Sequence, residues 1–319
     1  MVTVLSVQPI SESLGFGAVV SDLRLEHLTS PAIPQQLRSL WLQHGLLVFR
    51  NVDPSDRMHV ELSRCFGDLE KHPLTKAYEH ESDEITPIRY SPQESTVYEV
   101  DGEARGGWLP WHSDLAYVDR INRGGILKPI ELPPSGGETG FIDKIEAYER
   151  LPDSLKRRIE GLYVAYRLDL DATRQRFGRQ PRLKLLHLSP ATSRAMEAGK
   201  EWPDALHPMV YEQPGTGRKV LNVSPYFAIG IHGLSGPDGD ELLAEVIDHA
   251  IDDRSAYYHQ WKTTNEMVLW DNWRMLHCAK GVQAHIARSM QRTTIAGDYA
   301  LGRWAEPMRN GIAQPTVMV

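Results

Sequence analysis

Cysteine is nearly absent from this chain: 319 residues contain two, Cys65 and Cys278. They lie far apart, so no CxxC-type site can form, and two isolated thiols fit a reducing cytoplasm. Basic blocks are missing as well. The formal net charge is −7 and no Lys/Arg stripe is present, which argues against a nucleic-acid partner. No apolar run reaches the roughly 18 residues needed to cross a bilayer. The start, "MVTVLSVQPISESLGFGAVV", lacks the basic n-region and apolar h-region of a signal peptide. The expectation is a soluble, cytoplasmic protein with no membrane partner. Internal repeats and low-complexity linkers are also lacking.

What is present reads as globular. Apolar residues make up 41% and charged residues 24%, enough to bury a sizeable core. "TVLSVQPI" and "GFGAVV" read as strands. "PAIPQQLRSLWLQHG" reads as a helix striped by Leu37, Leu40 and Leu42, and "GLLVFRNV" as a buried strand. "DPSDRMHVELSRCFGDL" reads as a second helix, with Asp53 as N-cap and Gly67 as its stop. From about residue 85 short strands dominate: "ITPIRYS", "STVYEVDG", "GGILKPIELP", "ETGFIDK", "KVLNVSPYFA", "EMVLWDN" and "QRTTIAGDYA". Three helical stretches interrupt them: "DKIEAYERLPDSLKRRIEGL", "SPATSRAMEAG" and "PDGDELLAEVIDHAIDD". Many short strands with Gly/Pro punctuation predict an α+β domain with a sandwiched β core and peripheral helices.

The chemistry concentrates in "GGWLPWHSDLAYVD". In a strand, residues i and i+2 share a face, so His112 and Asp114 can offer an imidazole and a carboxylate to one metal ion. His277, in "LWDNWRMLHCAKG", is the candidate third ligand. Two His and one carboxylate on one face of an octahedron leave three positions open, as in non-haem Fe(II) oxygenases. A bare His-x-Asp is a weak signal. With 13 histidines and 42 acidic residues, one is expected by accident.

Order and spacing of several motifs add what the pair lacks. "WHSDLAYVD", "ELPPSGGETGF", "VLWDNWRMLHCAKG" and "RSMQRTTIAGD" resemble, in sequence, the motifs of the taurine dioxygenase (TauD/TfdA) family of Fe(II)/2-oxoglutarate-dependent dioxygenases. The resemblance covers most of the chain. It implies a single domain over residues 1–319 with a double-stranded β-helix (jelly-roll) core. It implies that His112, Asp114 and His277 hold Fe(II), and that Thr139 and Arg288 hold the co-substrate 2-oxoglutarate. Arg292, His72 and Leu115 match substrate-binding positions, and O2 is the oxidant. The prime substrate is expected to be a small organic anion, and the assembly a homodimer or homotetramer. Related halogenases carry a small residue where this chain has Asp114, so the carboxylate points to oxygenation.

Each residue also has a plainer reading. Thr139 beside two glycines could be a strand residue after a turn. His72 before a proline could sit on a surface loop. Arg288 and Arg292 could be exposed; if their segment is a strand, both enter one cavity and need anions to offset burial. Asp271 and Asn272 are expected to shape the turn that delivers His277, Trp111 and Trp270 to pack around the site, and Cys278 to be a small buried residue. Two rival functions stay open: a zinc-dependent hydrolase on a jelly roll, and a non-catalytic jelly-roll binding protein. The segments 90–110 and 170–203 differ from the taurine enzymes, which puts taurine itself in doubt.

Overall fold

The computed structural model describes residues 5–71 and 84–305. Two large sheets form its centre. The first orders seven strands as Ser6–Pro9, Ala18–Ser21, Leu46–Arg50, Glu266–Asp271, Gly124–Glu131, Arg288–Ile295 and Thr86–Tyr90. The second orders six as Leu183–His187, Val97–Val100, Glu103–His112, Met275–Gln283, Thr139–Asp143 and Ala256–His259. From Glu103 to Asp143, and again from Ala256 to Ile295, successive strands alternate between the two sheets. Pairing is antiparallel except where Ala18–Ser21 meets Leu46–Arg50. This is the expected jelly-roll core.

Sequence pattern explains the layers. Strands buried on both sides, such as Glu266–Asp271 and Thr139–Asp143, have no exposed position and show no polar alternation. Their inward residues pack with those of the opposite sheet: Phe141, Val268, Trp270, Leu127, Met290 and Met275 form one cluster. The outer face of the seven-stranded sheet is covered by helices Ala32–His44 and Asp56–Arg64. The first helix buries Ile33, Leu37 and Trp41, spaced i, i+4, i+8. Leu37 is in the expected stripe, but Leu40 and Leu42 are not buried and flank Trp41 instead. It ends at Gly45, whose φ of 71° suits a residue without a Cβ.

Four local expectations are corrected. Ser55, not Asp53, caps helix Asp56–Arg64: its hydroxyl accepts from Met58 N, while Asp53 accepts from Ser55 N. The helix ends at Arg64 through i→i+3 bonds from Cys65 and Phe66, before Gly67. "DKIEAYERLPDSLKRRIEGL" makes two helices, Lys144–Arg150 and Asp153–Ile159. Pro152 forces Leu151 into the extended region and splits them. Finally, "KVLNVSPYFA" stays a strand only over Lys219–Leu221. The following residues form a loop in which the Ser224 hydroxyl accepts from Ser113 N at 3.0 Å. No helix among the described residues is long and apolar enough to cross a membrane.

Candidate metal centre

Strand Glu103–His112 pairs with Met275–Gln283 so that His112 lies opposite His277. One step along, the register shifts: Ala279 pairs with Leu109, so Pro110 and Trp111 together face Cys278. This bulge re-aims the end of the strand. It turns the Pro110 carbonyl onto the His112 ring, which it meets at 2.8 Å through Nδ1. A carbonyl only accepts, so Nδ1 carries the proton and Nε2 presents a lone pair to the interior.

The strand ends at His112, so Asp114 reaches the site from a turn and not by strand alternation. Leu115 follows with φ of 57°, a left-handed conformation that costs about 1 kcal/mol or more in a non-glycine residue. Asn272 holds the turn in place. Its Oδ1 accepts from Asp114 N at 2.7 Å and its Nδ2 donates to Asp114 O at 3.0 Å. Nδ2 also reaches Asn122. Asp271 shapes the turn before His277 by accepting from Trp273 N, and it pairs with Arg123 at 2.7 Å.

Asp114 Oδ1 lies 3.5 Å from His277 Nε2 and 3.8 Å from His112 Nε2. The donor atoms of the three residues fall within 4.8 Å of one another. Two donors at about 2.1 Å from one ion span roughly 3.0 Å at a right angle and 3.4 Å at a tetrahedral angle. A metal with ligands at right angles would draw the carboxylate and each imidazole together by roughly 0.5–0.8 Å. Burial, with His277 adding to it, pushes the His112 pKa down to about 3, so its imidazole is neutral. Burial alone would raise the Asp114 carboxyl, but the charges of Arg292 and His277 hold it well below the usual range. Two imidazoles and one ionised carboxylate oxygen, converging and buried, fit a divalent ion.

Strand Arg288–Ile295 turns Arg288, Met290 and Arg292 toward the space between the sheets. Arg292 Nη2 donates to Asp114 Oδ2 at 2.7 Å, and its guanidinium covers the Trp270 ring at 5.0 Å. Gly125 permits this: a Cβ there would lie 3.0 Å from Arg292 Nε. Both arginines therefore enter the interior, as strand spacing predicts, but one of the offsetting anions is internal. Asp114 itself is the partner of Arg292. Glu70, near Arg292, has its carboxyl pushed up to about 7 by burial against the opposing effect of that arginine.

Arg288 lies at the other end of the same strand. Nη2 donates to Gly137 O at 3.2 Å, and the buried Nε has no partner among the described residues. Burial pushes its pKa down to about 10, with Glu138 opposing. Thr139 pairs with Ala279 in register, two residues along from the Phe141–His277 pair. It therefore faces the same interior. Its Oγ1 accepts from Trp261 Nε1 at 3.2 Å, which leaves the hydroxyl proton to donate.

Beside the ligands opens a cavity of about 320 Å3. His112, Asp114 and Arg292 mark its inner end. Leu115, Tyr117, Leu170, Tyr226 and Phe227 form its walls, and Leu109 and Ile88, each 40% exposed, rim its mouth. Leu115 is thus where sequence reasoning put it. His72 lies outside the described residues. Trp270 packs on His277 with ring centroids 5.1 Å apart. Trp111 does not join it; it lies on the outer face of the sheet against Tyr258. Cys278 is free and buried as expected. The aromatic wall of Tyr226 and Phe227 was missed because "VSPYFA" reads as strand. Lys144 was missed because a lysine opening a helix carries no such signal.

Comparison with known proteins gives three findings. The family described as "Taurine catabolism dioxygenase TauD, TfdA family" matches residues 6–294. The (S)-phenoxypropionate/alpha-ketoglutarate-dioxygenase of Sphingobium herbicidovorans is 31% identical over 291 residues, covering 89% of this chain and 93% of that protein. The alpha-ketoglutarate-dependent 2,4-dichlorophenoxyacetate dioxygenase of a Burkholderia sp. is 30% identical over 292 residues, covering 88% and 92%. A crystal structure of a taurine dioxygenase from Burkholderia xenovorans superposes with a TM-score of 0.67 at 22% identity, covering 95% of this chain and 97% of that one. Alpha-ketoglutarate is 2-oxoglutarate.

Proposed function

This chain belongs to the taurine catabolism dioxygenase TauD, TfdA family, and from that premise we propose that it oxidises a small anion with a bulky apolar body. It is an Fe(II)/2-oxoglutarate-dependent dioxygenase. That sets aside the zinc-hydrolase and non-catalytic readings. Iron(II) in such a site supplies the dioxygen chemistry: 2-oxoglutarate is decarboxylated to succinate and CO2, and one oxygen atom passes to the substrate.

The chain's own residues divide the remaining work. His112, Asp114 and His277 would hold the iron; Asp114 turns Oδ1 toward the imidazoles while Oδ2 accepts from Arg292. Arg288 clamps the distal carboxylate of 2-oxoglutarate with its free Nε edge, a charge-assisted contact that offsets the burial of its guanidinium. Thr139 donates its hydroxyl to the same co-substrate. Arg292, together with His72, draws the substrate anion. The walls of Leu115, Tyr117, Tyr226 and Phe227 exclude water and align the apolar body beside the iron.

The observation that carries the substrate class is the cavity, with one buried guanidinium at its inner end and aromatic walls. A taurine-sized zwitterion would leave those walls uncovered, whereas an aryloxyalkanoate, or a sulfate or sulfonate ester of similar bulk, would fill them. The two relatives named above carry aryloxyalkanoates in their names. Hydroxylation next to a heteroatom in such a substrate would also cleave it. A substrate panel read by coupled succinate release tests this. Aryloxyalkanoates and aryl or alkyl sulfates should turn over, and their uncharged isosteres and taurine should not. Turnover of taurine above the bulky anions would contradict the proposal.

We also place the protein in the cytoplasm, as a homo-oligomer of two or four copies. The free, buried state of both cysteines supports the compartment; the assembly rests on family resemblance.

A further inference from the structure

Lys144 is fully buried at the first position of helix Lys144–Arg150. Burying an ammonium costs several kcal/mol unless it is well bonded, and the helix N-terminus is the wrong end for a cation. A side chain that only filled space there would be apolar. Its Nζ instead donates to Ser113 Oγ at 3.0 Å and to Asn222 Oδ1 at 3.3 Å. Ser113 is the residue between His112 and Asp114.

From Asn222 the bonds continue in one direction. Asn222 Nδ2 donates to Tyr299 Oη at 3.2 Å. His207 Nε2 meets the Val118 carbonyl at 2.8 Å; a carbonyl only accepts, so Nε2 carries the proton. His207 Nδ1 then accepts from the Tyr299 hydroxyl at 2.9 Å. Burial pushes the His207 pKa down to about 4, which keeps the ring neutral and the chain in this order. On the other side, Ser113 Oγ passes its proton toward Met275 O at 3.4 Å, and Ser113 N donates to Ser224 Oγ at 3.0 Å. A lysine ammonium has donors only, so Lys144 heads both branches.

The two branches end at Ser113 and Val118. Between these lie Asp114, the strained Leu115 and Tyr117: one metal ligand and two walls of the substrate cavity. Every member of the chain is buried. The segment at Gly302 packs tightly over it, since a Cβ on Gly302 would come within 2.1 Å of Asp119 O and 2.5 Å of the His207 ring.

We propose that this buried hydrogen-bond chain, headed by Lys144 and running through Asn222, Tyr299 and His207, is the device that positions the 113–118 segment. It thereby sets both metal affinity and the seating of the prime substrate. Lys144 and Tyr299 are positioning residues; neither touches the ligand atoms. The inference rests on reading His112, Asp114 and His277 as the metal ligands.

The test titrates the full-length protein with Mn(II), followed by electron paramagnetic resonance, which needs no turnover. Removing groups that orient a metal ligand typically costs about 10- to 100-fold in metal affinity. Lys144→Met should therefore weaken Mn(II) binding by about tenfold. Tyr299→Phe and Ser113→Ala, each deleting one oxygen, should shift it the same way by less. The double variant Lys144→Met/Tyr299→Phe should lose less than the two single effects combined, as expected within one network. A purely structural role would lower Tm and leave the Mn(II) Kd unchanged, and that result overturns the proposal. Should Lys144→Met fail to fold, wild-type Mn(II) affinity in both Tyr299→Phe and Ser113→Ala overturns it equally. Asp114→Ala in the same titration reports separately on the ligand reading: it must abolish binding, and unaltered binding there sinks that reading.

Discussion

Arg288 and Arg292 share a strand face and differ in what offsets their charge. Arg292 has Asp114 at 2.7 Å, whereas Arg288 hydrogen-bonds a backbone carbonyl and its buried Nε has no hydrogen-bond partner among the described residues. The arginine with less internal compensation is the one that an external dicarboxylate satisfies best. Truncating one partner of a buried, hydrogen-bonded charge pair costs about 2–5 kcal/mol. Arg288→Ala should thus weaken 2-oxoglutarate binding on the order of 100-fold, read by calorimetric titration of the Mn(II)-loaded protein, with Mn(II) affinity itself little changed. At this scale the sequence was informative where chemistry restricts the residue type. His112, Asp114 and His277 stood out because few side chains bind metal, and the structure does bring them together. The Arg292–Asp114 contact was invisible, because it joins residues 178 apart in the chain and no local pattern records it.

Among elements, turns decide the geometry more than strands do. Strand alternation is a sound reason for pairing His112 with Asp114 only if the strand continues; it stops at His112. Asn272 then does what the ladder would have done, by taking both backbone groups of Asp114. Sequence reasoning assigned Asn272 to its own turn, since side-chain to backbone bonds are usually local; here the bond crosses to the opposite strand's end. Leaving buried backbone groups unpaired costs about 1–3 kcal/mol each. Asn272→Ala should lower unfolding free energy by about 2 kcal/mol or more in urea denaturation and weaken metal binding. Full stability with unchanged metal affinity would show that the clamp is dispensable. The split at Leu151–Pro152, by contrast, was legible from the proline and was passed over because the flanking segments each look helical.

Across the molecule, the jelly roll followed from the family resemblance, and a sandwiched β core was readable as texture, from short apolar runs between turns. The interleaving of the two sheets was not, because the pairs are distant in sequence: Val268 with Leu127, His277 with His112. The closed core has a cost in acid. His59, His207 and His259 are buried, and burial first of all lowers their pKa values from 6.5 to about 4, 4 and 3. The folded protein keeps them neutral while the unfolded chain protonates near pH 6.5. The unfolded state therefore binds more protons between pH 6.5 and about 4, and stability falls as pH falls through that window. Glu70, raised from 4.5 to about 7, works the other way between pH 7 and 4.5, as do the Asp119 and Glu146 carboxyls that burial raises; the imidazoles outnumber them, because burial lowers His44 and His112 as well. Metal-free protein should show a Tm that declines steadily from pH 7 to pH 5; a flat or rising Tm would contradict this. The central claim is that His112, Asp114 and His277 hold an iron that 2-oxoglutarate chelates under the control of Arg288 and Thr139. Anaerobic titration with Fe(II) and 2-oxoglutarate tests it most directly. The account predicts a weak visible metal-to-ligand charge-transfer band at one iron per chain, lost in His112→Ala and Asp114→Ala. Retention of that band in either variant, with substrate-dependent succinate formation intact, would contradict it.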